Sequence, residues 1–259
     1  MRNSEQFVLP SFNRPASRVA IRRASQYEAD LSGLITETLR EFKLPIQGKT
    51  VLLKPNFVEP DPGPGDGDGG YFLYAGRLTE EKGIRVLIDC WTKAPDLPPL
   101  LIAGDGPLRE EVKNAAAIAP NIYCLGMKSG EEVLDLMKHA KAILCPSLWY
   151  EGMPRVVIES LAAGTPVIAS DIGGYPEMIV DGESGALFAT GDAGALLGRI
   201  RELDERAAWQ KMRSGARLRF LAEYTGDRNF SALLGIYRTA MYPGSNTFPI
   251  PASPGTAIP

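Results

Sequence analysis

Histidine occurs once in the 259 residues, which excludes any site built on several imidazoles, a multi-histidine zinc centre above all. A Ser–His–Asp hydrolase would have to use His139, which lies in EEVLDLMKHAK and reads as the polar end of a helix. Cysteine is almost as scarce. Cys90, Cys124 and Cys145 stand in apolar runs without Cys-x-x-Cys spacing, so they read as buried free thiols of a reducing compartment. Strong charge of either sign is missing too, and a net charge of −3 leaves no basic footprint for nucleic acid or an anionic membrane. No apolar run reaches the ~18 residues of a membrane span. The opening MRNSEQFVLPSFNRPASR lacks the apolar stretch of a secretory signal, so a cytoplasmic location is expected, with peripheral membrane attachment as the alternative.

Glycine and proline are plentiful instead, 27 and 21 residues, and they are unevenly placed. Residues 59–70 (EPDPGPGDGDGG) use only Glu, Pro, Asp and Gly and read as a linker; 243–259 hold five prolines and no charge and read as a disordered tail. Before the linker, RVAIRR (18–23), YEADLSGLITETLREF (27–42) and KTVLLKPNFV (49–58) read strand–helix–strand, a partial βαβ segment over 1–58. One such unit cannot bury both faces of its strands by itself.

From residue 71 to 242 the pattern is that of one domain. Strand-like runs are YFLYA (71–75), PLLIA (99–103), IYCL (122–125), AILCP (142–146), PVIAS (166–170) and ALFA (186–189). Helical patterns lie near 80–93, 107–118, 130–139 and 154–163, and then at 192–203, 205–223 and 227–241. Ser129 with Glu132 makes a capping box, and Pro107 and Pro154 suit a first helical turn. Short apolar strands separated by helices predict an α/β fold, a Rossmann-like doubly wound parallel sheet whose ligands bind at the carboxyl ends of the strands.

Three features fall at predicted strand-to-helix turns. In GRLTEEKG (76–83), Gly76 closes the first strand, Arg77 sits at its mouth, and Lys82 opens the next helix. A planar fork and a compact cation five residues apart suit a diphosphate, although such cations are also common as solvated neighbours of a helix start. AGDGP (103–107) is not a dinucleotide fingerprint, because Leu108 and Arg109 follow where a third glycine should stand; it reads as a tight turn. In YEGMPRVVIES (150–160), Glu151 lies in a loop and Glu159 on the helix that Pro154 begins, about 7–8 Å further along the axis. That span suits the two ends of a nucleotide sugar better than a glycosidase acid pair flanking one bond, and the helix N-terminus adds an anion site. Asp66-Gly67-Asp68 has the Asp-x-Asp spacing of metal-dependent sugar transfer, but inside the linker it reads as a solvated turn.

In order along the chain, these residues resemble the C-terminal, donor-binding domain of a retaining family 4 glycosyltransferase with the GT-B architecture. The likeness runs from about Asn56 to Tyr242 through PNFVEPD, FLYAGRLTEEKG, LIAGDGP, the GxxSxEE turn (126–132), CPSLWYEGMPRVVIESLAAGTPVIASDIGGYPEMIVDGESGALF and the helix after YTGDRNF. The resemblance implies a nucleotide-diphospho-sugar as donor substrate, with no cofactor and no metal. Arg77 and Lys82 would bind the diphosphate and neutralise the leaving nucleotide. Glu151, with the backbone N–H groups of Gly152 and Met153, would hold the sugar's hydroxyls, and Glu159 the ribose. Gly76 belongs to the same donor-binding set, and Gly126-Met127 would meet the base through backbone atoms. The acceptor, whether glycan, lipid or small molecule, is not implied. Members of this family carry a complete N-terminal acceptor-binding domain, whereas residues 1–58 resemble the start of an unrelated family of uncharacterised proteins, in RVAIRRASQYEADL and GKTVLLKPNFVEPDP. Two further readings therefore stay open. One is a non-catalytic or truncated nucleotide-sugar-binding module, its acceptor domain supplied by another chain; the other is a GT-B-like sugar-nucleotide epimerase.

Overall fold

A computed structural model describes residues 63–65, 70–203 and 206–241. The expected βαβ segment over 1–58, Asp66-Gly67-Asp68 and the tail 243–259 lie outside the described residues. Six strands, β1 (Phe72–Ala75), β2 (Leu100–Ala103), β3 (Ile122–Gly126), β4 (Ala142–Cys145), β5 (Val167–Ser170) and β6 (Gly185–Phe188), form one parallel sheet in the order β3-β2-β1-β4-β5-β6. Each falls within a residue or so of its expected run. The helices are α1 (Ile84–Lys93), α2 (Arg109–Ile118), α3 (Gly130–His139), α4 (Arg155–Ala162), α5 (Tyr175–Met178), α6 (Ala193–Glu202), α7 (Arg206–Glu223) and α8 (Gly226–Met241). Among the described residues no helix is long and apolar enough to cross a membrane.

Apart from edge strand β3, where Tyr123 is exposed, the strands are largely buried, and their side chains divide between two cores with the period of two that a pleated strand imposes. Phe72, Tyr74, Ile102, Leu144 and Ile168 join α1, α2 and α6 on one face. Leu73, Ile143, Cys145, Val167 and Ala169 join α3, α4 and α5 on the other. Helix α1 shows how the sequence drives this: Ile84, Leu87, Cys90 and Trp91 recur at helical spacing and are all buried. The ring of Trp91 meets Phe72 edge-on at 5.6 Å, and its indole N–H donates to the Pro98 carbonyl at 2.8 Å. Helix α7 serves both cores, through Trp209 and Met212 on one side and Ala216 and Phe220 on the other.

Four local expectations need correction. The helical pattern over 80–93 is broken: Glu80–Lys82 form a 3₁₀ turn, and Gly83 separates it from α1 in the left-handed conformation, φ 69°. The break has a packing cause, because a Cβ at Gly83 would lie 1.8 Å from the Pro146 carbonyl oxygen after β4. Pro154 is the N-cap of α4 rather than a residue of its first turn. Pro107 lies two residues ahead of the first residue of α2, Arg109. Helix α5, a single turn after β5 with Pro176 at its start, was not expected from the pattern. The capping box is present as expected: Ser129 Oγ accepts from the Glu132 N–H at 3.2 Å, and the Glu132 carboxylate accepts from the Ser129 N–H at 2.8 Å.

Part of the Gly/Pro stretch is pinned to the domain. The Gly65 N–H donates to the Ala163 carbonyl at 2.8 Å, and Arg213 of α7 donates to the Gly65 carbonyl at 2.9 Å. The chain divides into two compact units, one of residues 61–225 and one of 1–60 with 226–259; α8 is the described element of the second. In the first, the strand order runs outward in both directions from β1 and β4. The crevice at their carboxyl ends is the topological switch point, where doubly wound sheets bind ligands.

Candidate functional site

The turn after β1 and the loop after β4 meet at that crevice. Gly76 N–H continues the sheet by donating to the Ala103 carbonyl at 3.0 Å, and Tyr74 anchors the turn that follows, its hydroxyl donating to the Arg77 carbonyl at 2.6 Å. The 3₁₀ turn then carries the chain against the β4 loop, where the Leu148 N–H donates to the Glu81 carbonyl at 2.8 Å. Through this docking the Lys82 ammonium forms an ion pair with the Glu151 carboxylate, across 69 residues of sequence. Each of these two side chains is only 23% exposed.

Glu151 is held from the other side by the loop after β5. Its carbonyl accepts from the Gly174 N–H at 2.7 Å. Glycines at 173 and 174 permit this approach: a Cβ on Gly173 would stand 2.8 Å from the Glu151 backbone, and one on Gly174 2.0 Å from the Gly152 carbonyl oxygen. Tyr175 completes the clamp, its hydroxyl 3.0 Å from Ser147 Oγ with both residues buried. Burial holds the Tyr74 and Tyr175 hydroxyls well above the ordinary phenol range, and Glu151 adds to the effect on both. Burial likewise pushes the Cys145 thiol up to about 12, against the opposing pull of Lys82. A layer of neutral hydroxyl and thiol groups thus lies close to the charged pair.

The other expected site residues are placed as follows. Arg77 reaches into solvent, 74% exposed, with Glu81 at 3.9 Å. Glu159 on α4 accepts from Arg155 one turn earlier at 2.8 Å and is 21% exposed. Gly152 and Met153 are exposed in the β4 loop, and Met127 is exposed after β3. Gly126 ends β3 at a register irregularity, and its carbonyl accepts from the Gly104 N–H at 2.8 Å. Lys82 and Glu151 are brought together. Arg77 and Glu159 are not bonded to that pair, and Glu151 and Glu159 each have their own cation, Lys82 and Arg155. Tyr74, Ser147, Gly173, Gly174 and Tyr175 were missed as parts of the site. The Gly173-Gly174 pair shortly after an expected strand is the signal the sequence offers for the β5 loop. The same β4 loop exposes Leu148, Trp149 and Tyr150 beside Glu151, an apolar rim.

Known proteins resemble this chain in sequence and fold. The glycogen synthase of Mycobacterium tuberculosis is 31% identical over 175 residues, which are 65% of this chain and 42% of that protein. The phosphatidyl-myo-inositol mannosyltransferase of Mycobacterium leprae is 27% identical over 222 residues, 82% of this chain and 59% of the relative. The chain therefore spans less than two thirds of the length of these curated relatives. Among solved structures, the sucrose-phosphate synthase of Thermosynechococcus elongatus superposes with a TM-score of 0.59 at 27% identity, covering 70% of this chain and 46% of that one. HepE of Anabaena, solved in complex with UDP, gives a TM-score of 0.60 at 19% identity and covers 67% and 49%; at that identity the likeness concerns the fold, which is GT-B. The sequence profile of one family, glycosyl transferases group 1, matches residues 59–218, well over half of the chain and the whole of the β1–β4 crevice, and the chain belongs to that family.

Proposed function

We propose that the crevice between β1 and β4 binds a nucleotide-diphospho-sugar and that the protein transfers the sugar, with retention of configuration, to a glycan, lipid or small-molecule acceptor. The observation that carries this reading is the convergence of Lys82 and Glu151 at the switch point, on the turn that also carries Arg77. Arg77 and Lys82 supply a fork and a point charge for the diphosphate. Glu151 and the backbone N–H groups of Gly152 and Met153 hold the sugar's hydroxyls, Glu159 the ribose, and the Gly126-Met127 backbone the base. As the bond from sugar to diphosphate breaks, negative charge grows on the leaving oxygen. Cations already in position stabilise it, so Arg77→Ala should slow transfer by roughly 10²–10³. No metal is needed in this scheme. HepE, solved with UDP, and the named sugar-transferring relatives support the donor class.

The test is calorimetry on the full chain with UDP-glucose, ADP-glucose and GDP-mannose. One of these should bind, and Glu159→Ala should weaken it; a panel without binding sinks the donor reading. Donor binding without transfer or hydrolysis would leave a binding module that relies on another chain for its acceptor domain. Proton NMR of any glycoside formed reads the anomeric configuration directly, and an inverted product refutes retention.

A further inference from the structure

Lys82 and Glu151 have different tasks in the bound donor, yet in the free protein they hold each other. Building on the donor site proposed above, we infer that Glu151 is a specificity-determining residue: it favours a sugar-bearing diphosphate over the bare nucleoside diphosphate by competing for Lys82. Lys82 is paired with Glu151, while Arg77, on the same turn, lies 3.9 Å from Glu81. A diphosphate that draws the Lys82 ammonium to itself leaves Glu151 without its cation in a site only 23% exposed, and sets one anion beside another. Both consequences oppose binding.

A nucleotide sugar removes that opposition. Its hydroxyls donate to the carboxylate and take the place of the ammonium, a charge-assisted exchange that leaves neither group unsatisfied. The bare diphosphate brings no such donors. The backbone of Glu151 is fixed by the Gly174 N–H at 2.7 Å and by the close contacts of Gly173 and Gly174, so its carboxylate stays attached at this rim. When the sugar leaves for its acceptor, the nucleoside diphosphate that remains meets a carboxylate whose hydroxyl donors have gone. The Lys82–Glu151 pair re-forms and the product is expelled. The residue that holds the sugar is thereby the residue that rejects the spent donor.

The experiment compares wild type, E151Q and E81Q in the full chain by calorimetry. The ligands are UDP, ADP and GDP beside UDP-glucose, ADP-glucose and GDP-mannose, and the base that binds wild type best is followed. E151Q should bind the bare diphosphate about tenfold tighter, since one facing negative charge is gone, and the sugar nucleotide no tighter. The ratio of the two affinities then falls about tenfold. E81Q removes a carboxylate that does not face the sugar, so it should change both affinities by one factor and keep the ratio. Weaker binding of the bare diphosphate by E151Q, or an unchanged ratio, overturns the inference while leaving the donor site standing. No nucleotide binding in wild type overturns the donor site and the inference together. Should E151Q lower the melting temperature, E151A is read by the same ratio.

Discussion

Tyr175 and Ser147 make one buried hydroxyl contact, at 3.0 Å, between the loops after β5 and β4. Tyr175→Phe keeps the ring and removes only the oxygen, so Ser147 Oγ loses this partner in a place where water does not reach it. Such an orphaned group costs about 1–3 kcal/mol, whereas deleting both partners is nearly neutral. The single variant should therefore melt lower, and adding Ser147→Ala should restore most of the loss. If the contact also positions the Glu151 loop, as its place four residues before Glu151 indicates, the double variant regains stability without regaining affinity for the sugar nucleotide. Recovery of both properties together would reduce the pair to a packing contact. Thermal melts and calorimetry on the three variants separate these outcomes.

Elements differ in how openly the sequence announces them. Strand bounds followed from short apolar runs between turn residues, and the start of α3 from Ser129 and Glu132 alone, because both signals are local. That cap is also a pH-sensitive feature. The Ser129 N–H, then the Lys128 ammonium, hold the Glu132 carboxyl down to about 2, below its ordinary 4.5. A carboxyl with a lowered folded value stabilises fully above the unfolded value and loses that contribution as pH falls through the folded one. Acid titration of the melting temperature should thus show a loss between pH 4.5 and about 2 that Glu132→Gln lacks. At neutral pH, Ser129→Ala should cost about 1 kcal/mol. The contacts that build the site were illegible for the opposite reason: each joins elements far apart in sequence. Nothing near Gly83 reveals that Pro146 will press on it, and nothing near Lys82 names Glu151. Gly83→Ala tests this coupling. With the Pro146 carbonyl oxygen 1.8 Å from the new Cβ and φ at 69°, the 3₁₀ turn must move away from the β4 loop. Donor affinity should then fall more than tenfold, a loss of about 1.4 kcal/mol or more in binding. Unchanged calorimetric affinity would mean that the turn is not what holds Lys82 in place.

At the scale of the molecule, the crevice draws its groups from successive strand ends of the unit spanning 61–225, from Arg77 after β1 to Gly174 after β5. A donor bound there engages turns that belong to one compact unit. Its binding energy must be felt by the whole parallel sheet, because the turns that hold it are fixed by β1, β4 and β5 together. Ligand linkage gives the size: at one hundred times the dissociation constant, a ligand that binds only the folded state adds about 2.7 kcal/mol. For a unit of this length each kcal/mol raises the melting temperature by roughly 2–4 °C, so a shift of about 5–11 °C is expected. Calorimetric scans of the full chain should show the transition of this unit moving as one peak, without broadening. Glu159→Ala should need proportionally more nucleotide to reach the same shift. A melting temperature that stays fixed at saturation, with hydrogen-exchange protection gained only around residues 76–83, would show instead that the ligand orders one turn and that the sheet does not share in its binding.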